Sequence, residues 1–435
     1  MEKQSEIQLV ANVDDKIPAG QAIFLGFQHV LAMDLYIVPI ILAGALSMGV
    51  SDKSFLIQMT FLAAGIATII QTKWGLKLPV VQGPSYIPLG ALAFIGGTLG
   101  LSAMIGSLIP GAILLAVLGY FKLIGKIIEK LIPPIVAGTV ILVIGVALMP
   151  VAMKNVFYSP VGDPKANLII AGTSALLLVI FLILGGRTGR TSKIIKLLSV
   201  LLALTGGTIV AAAYGMVDFS PVKEASWISF PKIFSYGMPT FDISAVLTMV
   251  FIYFVILIES TGTWFAVGAV SNSEITKERI NSGTAGEGLG CAIGSVIGGM
   301  PVTGYSTNAG IIAVTGVASR TAILAAGGIL VILGLIPKLT TLISCIPEVV
   351  IMGVFAIVTV IIAMNGLRII KNIDFTERNM IVVGIPVLLA IGGMVIPAEI
   401  VSLFPQFIQY LISAGMAIGA IFAVLLNLVL PKDAK

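Results

Sequence analysis

The sequence predicts an all-α polytopic membrane protein whose fourteen transmembrane spans form a 7+7 inverted repeat. Of its 435 residues, 58% are apolar and 10% charged, and the mean hydropathy is +1.10, whereas a soluble chain needs about a quarter of its residues charged to cover its surface. A hydrocarbon core about 30 Å thick takes about 20 apolar residues as helix, and that ruler finds fourteen segments along the chain. Lys and Arg alternate between the loops so defined: 15 follow even-numbered spans and 6 follow odd-numbered ones, as expected when cytoplasmic loops hold the basic residues. The net charge of +5 then reflects topology, not nucleic-acid binding.

Residues 1–16 are polar, carry both signs of charge and lack the pattern of a cleavable signal, so they read as a cytoplasmic N-terminal tail. The first repeat, 17–216, holds spans near 18–46, 54–71, 79–97, 99–121, 131–152, 167–185 and 194–216. Its third span is crowded with Pro79, Gly83, Pro84, Pro88 and Gly90 and is weak as a simple helix. Residues 217–242 form an extracytoplasmic connection, polar and aromatic but too short for a domain. The second repeat, 243–430, holds spans near 243–269, 282–298, 299–318, 320–337, 341–364, 379–396 and 407–430. Spans 9 and 10 are its least regular, with Gly298, Gly299, Pro301 and Gly304 in succession. Both termini are expected on the cytoplasmic side of the cell's inner membrane.

Halves with an odd number of spans enter the membrane in opposite orientations, the design of many secondary transporters. Leu78-Pro79-Val80-Val81-Gln82-Gly83 opens span 3 and Met300-Pro301-Val302-Thr303-Gly304 opens span 10, while Ile132-Pro133 and Ile346-Pro347 open spans 5 and 12. Both matches fall seven spans apart. Non-helical backbone is tolerated at bilayer depth only where it is buried or lines a polar cavity. Spans 3 and 10 are therefore expected to be broken and to meet at a solute site, each followed by a short helix whose positive N-terminus points at it.

An ionised side chain at bilayer depth costs about 2.5–3.5 kcal/mol on insertion scales, so each one needs a partner or a task. Glu259, in the otherwise uncharged run FIYFVILIESTGTWFAVGAV, reads as a binding or proton-carrying carboxylate. Glu287, among the glycines of SGTAGEGLGCAIGSV, is either functional or structural, bonding the exposed backbone of the broken span. His29, the single histidine, is either a proton relay or a satisfied structural ring. Asp34 is a third intramembrane acid, and Glu348, close to a span start, reads as structural. Cys291 and Cys345 lie in apolar runs without metal-ligand spacing and read as small buried hydrophobes. No H-E-x-x-H, nucleophile elbow, phosphate loop or metal cluster occurs in the sequence. The chain is expected to be neither an enzyme nor an ATP-driven pump, to need no cofactor, and to couple to an ion gradient.

Thr307-Asn308-Ala309-Gly310-Ile311-Ile312-Ala313-Val314-Thr315-Gly316 resembles the signature of the nucleobase–ascorbate transporters, also called nucleobase:cation symporter family 2. That pattern is Gln, Glu or Pro, then N-x-G-x-x-x-x-T, then Arg, Lys or Gly. Asn308, Gly310, Thr315 and Gly316 fit it, and Thr307 departs at the first position. GFQHVLAM in span 1, LPVVQGPSY in span 3, IPPIVAGTVILVIGVAL in span 5, Glu259 with its following hydroxyls, and TGVASR after the signature extend the resemblance over about residues 20–430.

The resemblance implies that spans 3 and 10 are broken by short extended segments that pair across the site. It implies a core of spans 1–4 and 8–11 and a gate of spans 5–7 and 12–14, through which a homodimer is also expected. Glu259 would accept N–H bonds from a nucleobase, and Thr307 would offer a hydroxyl where relatives have an amide or carboxylate. Asn308 would lie next to the site, and Tyr86 would stack on the base where relatives use Phe, with Ser85 and Tyr36 as further contacts. Glu287 stands where relatives carry Asp, and Thr263 where they carry Asp or His. These two join Glu259, His29 and Asp34 as candidates for proton coupling or support of the site. Fewer residues separate Met33 from Pro39 than in relatives, which implies a site reshaped along the span-1 wall.

The implied function is proton-coupled symport of a nucleobase, with Na+ coupling open and a purine such as xanthine or urate ahead of uracil. A carboxylate, free backbone groups and an aromatic face complement a flat heterocycle rich in N–H donors and C=O acceptors. The rival is an anion carrier of the same architecture, against which the Glu259 carboxylate argues.

Overall fold

The computed structural model describes residues 9–157, 162–187, 189–371 and 373–431. Lys3, Lys432 and Lys435, among the basic residues of the two ends, lie outside the described residues. The first half runs α1 (Ala19–Leu31), α2 (Ile37–Ala45), α3 (Val50–Lys73), β1 (Gln82–Pro84), α4 (Leu89–Leu99), α5 (Leu101–Tyr120), α6 (Gly125–Leu131), α7 (Pro134–Phe157), α8 (Pro164–Gly185) and α9 (Arg190–Ala213). After α10 (Ser220–Glu224) in the connection, the second half runs α11 (Ile243–Val270), α12 (Lys277–Ile297), β2 (Val302–Gly304), α13 (Thr307–Thr315) and α14 (Arg320–Gly334). It ends with α15 (Pro337–Ser344), α16 (Glu348–Ile370), α17 (Glu377–Met394), α18 (Ala398–Val401), α19 (Gln406–Ser413) and α20 (Gly415–Val429).

The protein is thus an all-helical membrane protein, and each of the fourteen expected segments holds helix. Among the described residues eight helices are long and apolar enough to cross a bilayer, or up to ten if the bent pairs α14–α15 (80°) and α19–α20 (91°) each count as one. Short polar caps start several of the helices: Asp242 accepts from Ala245 N–H ahead of α11, Thr276 from Arg279 N–H ahead of α12, and Ser319 from Thr321 N–H ahead of α14.

Two segments differ from expectation. Span 1 is not continuous: α1 ends at Leu31 and α2 starts at Ile37. Pro39 has no N–H to bond back to residue 35, but in the first turn of a new helix that donor is not missed. Span 12 starts at Glu348 rather than near 341, because Pro347 cannot continue the preceding turn and residues 337–344 form the bent partner of α14 instead.

Packing pairs the two halves. α3 lies against α14 and α5 against α12; α1 lies against α14 and α11 against α5; α7 lies against α16. Small residues let these backbones meet: a Cβ on Gly288 of α12 would sit 2.3 Å from the Ala116 nitrogen of α5. Burial separates interior from periphery, since 83% of the apolar window of α3 is buried and 17% of that of α17.

Residues 10–15 are not a free tail. Val10 and Ala11 N–H both donate to Gly316 C=O, Ala318 N–H donates to Ala11 C=O, and Arg320 N–H donates to Val13 C=O. Ala11 and Val317 form a parallel bridge, Ser319 Oγ donates to Asp15 C=O, and Arg320 pairs with Asp14. This strap covers the turn that follows α13.

Candidate functional site

Two three-residue strands make the centre of the site. β1 and β2 are antiparallel, with Gly83 opposite Thr303, and both are buried along their whole length. Gly298, at φ +88°, ends α12 and swings the chain toward β2. Beyond the strands the pairing continues symmetrically: Ser85 N–H donates to Pro301 C=O at 2.9 Å and Tyr305 N–H to Val81 C=O at 3.1 Å. Spans 3 and 10 therefore meet, as their proline and glycine content requires.

So short a ladder leaves backbone groups that side chains must satisfy. Cys291 and Val302 exchange bonds at 3.4 Å, Val302 N–H to Sγ and S–H to Val302 C=O. Gly304 N–H donates to Ser260 Oγ (3.3 Å) and Thr263 Oγ1 donates to Gly304 C=O (3.0 Å). Gln82 N–H donates to Thr68 Oγ1 (2.8 Å), and Val81 N–H to Asn308 Oδ1 (3.3 Å). Cys291 is therefore a backbone partner of β2, not merely a small buried hydrophobe. The bond expected from Glu287 to this backbone is not made: the carboxylate is fully buried and neither oxygen has a partner among the described residues. Cys291, Ser260 and Thr263 already occupy the groups it would have met.

Beside the strands lies a cavity of about 970 Å³, lined by Asp34, Tyr86, Glu259, Thr263, Tyr305 and Thr307 and reaching Arg187 in the α8–α9 turn and Lys196 in α9. Its size is at the upper end of the range for small-molecule sites, about 300–1,000 Å³. One face of α13 forms a wall, with Thr307, Gly310, Ile311, Val314 and Thr315 at helical spacing. Glu259 Oε2 accepts from Ser85 Oγ at 2.8 Å, and Asp34 Oδ2 accepts from Tyr86 OH at 2.6 Å. The Tyr86 ring stacks on Phe355 of α16, centroids 5.5 Å apart and planes 18° apart.

The structure thus brings together Glu259, Thr263, Thr307, Tyr86 and Asp34 at the cavity, with Ser85 attached to Glu259. It places others elsewhere. Asn308 and His29 bond each other at 2.8 Å, both buried behind the wall; Glu287 is buried behind β2. Tyr36 is buried outside the cavity lining, and its hydroxyl has no partner among the described residues. Tyr305, not expected from the sequence, lines the cavity and donates its hydroxyl to Pro84 C=O at 3.1 Å. Its signal was positional: it follows β2 as Ser85 follows β1. Among the described residues no group of three or more His, Cys, Asp or Glu side chains is arranged to hold a metal.

Residues 20–399 match the model of a permease family, Xan_ur_permease. The chain is 34% identical over 423 residues to the nucleobase transporter PlUacP of Paenibacillus larvae, covering 94% of each chain. It is 32% identical to the uric acid permease PucK of Bacillus subtilis, covering 94% of this chain and 95% of that one. In three dimensions it is similar to the transmembrane domain of the cyanobacterial bicarbonate transporter BicA, with TM-score 0.62 and 14% identity over 95% of this chain and 99% of that one. At that identity the last likeness concerns the fold alone. With a family match over most of its length and relatives above 30% identity, the chain belongs to the xanthine/uracil permease family and is a membrane permease, not an enzyme.

Proposed function

We propose that the chain imports a purine base, such as xanthine or urate, in symport with protons, and that Glu259 holds the base. The observation that carries this reading is the position of Glu259: on the cavity wall beside the β1–β2 pair, with one oxygen held by Ser85. The names of the relatives supply the substrate class, and the two carboxylates of the lining, Asp34 and Glu259, disfavour an inorganic anion beside them. Radiolabelled uptake into proteoliposomes, with a panel of purines, uracil, sulfate and bicarbonate, tests it; uptake of an anion without any base would reverse the assignment.

The inverted-repeat arrangement is supported by the packing. If each element is exchanged for the one seven spans along, α3·α14 becomes α12·α5, α1·α14 becomes α11·α5, α8·α9 becomes α17 against α20, and α7·α16 and β1·β2 map onto themselves. Each of these exchanged pairs is also in contact, which a chance arrangement would not reproduce. In this reading spans 1–4 and 8–11 form the core, spans 5–7 and 12–14 the gate, and the exposed faces of α8, α9 and α17 meet lipid or a second copy. The cavity mouth at Arg187 and Lys196 then faces the cytoplasm, with the N-terminal strap beside it. Reporters fused after Lys16 and after Lys435 should read cytoplasmic and one near Asp218 should read outside; opposite readings at the two ends would rule out fourteen spans.

Thr307 governs selectivity in this reading. Its hydroxyl offers one donor and two lone pairs on a short stem, whereas Gln reaches about two bonds further with an adjacent donor and acceptor. Thr307→Gln should narrow the range of competing bases and raise the preference for xanthine or urate. Competition profiles indistinguishable from wild type would take Thr307 out of the site.

A further inference from the structure

We infer that Asp34 is a second ligand carboxylate, reading an N–H donor on the edge of the base remote from Glu259, so that the preferred substrates are bicyclic bases with N–H donors on both rings. This rests on the nucleobase reading above and deepens it.

Asp34 projects from the non-helical break between α1 and α2, and Glu259 from the middle of α11; both line the same cavity. Each acid is tied at one oxygen by a hydroxyl from span 3, and the two hydroxyls belong to consecutive residues, Ser85 and Tyr86. Tyr86 is itself fixed by its stacking on Phe355. A carboxylate carries about four lone-pair sites on its two oxygens, so a tether at one leaves the other for a ligand. Glu287 differs: that acid is fully buried and lines no part of the cavity, whereas Asp34 and Glu259 are only partly buried and both line it. Two acceptor-only groups on different walls call for a rigid ligand with donors on two edges. An oxopurine such as xanthine provides this, with N–H groups at N1 and N3 of its six-membered ring and another on its five-membered ring. In uracil both N–H groups flank a single carbonyl.

The geometry also fixes what the amide would do. In Asp34→Asn the carbonyl oxygen retains the Tyr86 bond, which turns the NH₂ toward the cavity and replaces an acceptor by a donor. The experiment is competition for purine uptake in proteoliposomes containing the full chain, using xanthines methylated on a six-ring nitrogen or on a five-ring nitrogen. Wild type should reject both classes by about tenfold or more, as the loss of a hydrogen bond to a charged group predicts. Asp34→Asn should stop discriminating against one class, the one blocked at the edge Asp34 reads, and continue to reject the other. Tyr86→Phe, which releases the tethered oxygen and keeps the ring, should weaken the same discrimination and serves if the amide variant does not reach the membrane. Equal tolerance of both classes by wild type, or a profile unchanged in the variants, overturns the inference while leaving nucleobase transport intact. Absence of any base uptake by wild type would defeat the nucleobase reading itself, and this inference with it.

Discussion

Glu259→Gln abolishes concentrative uptake while leaving the amount of protein in the membrane unchanged: this is the largest effect expected from any single substitution. The amide preserves size and, through its carbonyl, the 2.8 Å bond from Ser85. Its NH₂ then faces the cavity, where a base N–H would meet a donor instead of an acceptor. Losing one hydrogen bond to a charged group costs about 1.5–3 kcal/mol, roughly ten- to a hundredfold in affinity. Losing the titratable oxygen removes any proton carried there. Counterflow of base at saturating concentration separates the two effects, because exchange needs binding but no net proton movement. Accumulation at the wild-type level would exclude Glu259 from the mechanism.

The second large effect concerns assembly of the helices rather than chemistry. In Gly288→Val the added Cβ would lie 2.3 Å from Ala116 N, 2.7 Å from Ala112 O and 2.8 Å from Ala116 Cα. All three are backbone atoms of α5, so no rotamer change relieves the contact and α5 and α12 must separate. Overpacking of a core typically costs about 1–3 kcal/mol, and here the displaced element carries the wall behind β2. The variant should give a lower Tm and less monodisperse protein in detergent. Gly172→Ala is the control: a Cβ there meets nothing within 4 Å, and alanine favours a helix over glycine by about 0.8–1 kcal/mol. Equal thermal stability of the two variants would mean that α5 and α12 do not pack as described.

Much of this was legible in the sequence because the bilayer imposes so few solutions. Apolar runs of the right length had to be helix, and Pro79 to Gly90 and Gly298 to Gly304 had to break two of them. Glu259 stood out because nothing near it in the chain could neutralise it. Other features have no one-dimensional signature. The gap between α1 and α2 contains no glycine or proline, and only Pro39, already inside α2, marks it. The bond from Tyr86 to Asp34 joins residues 52 apart, and periodicity says nothing about such a pair. Cys291 resembled any buried small residue until β2 was seen to lack partners. Tyr305 became meaningful only once it occupied the place after β2 that Ser85 occupies after β1. Residues 10–15 were unreadable for a different reason: their order comes from backbone bonds, which any sequence without proline at the donor positions can make.

That last segment has a practical consequence for handling the protein. A purification tag or fluorescent protein fused upstream of Leu9 would hang from a strand bonded to Gly316, the final residue of the motif whose helix walls the cavity. Its bulk and tension would act on the helix that walls the cavity. A fusion after α20 pulls on a helix that packs against α17 and α7 and contributes no side chain to the cavity lining. Affinity handles therefore belong at the carboxyl end, and the amino end is the place for a small environment-sensitive dye, where the same connection that makes a large tag disruptive makes a small one informative.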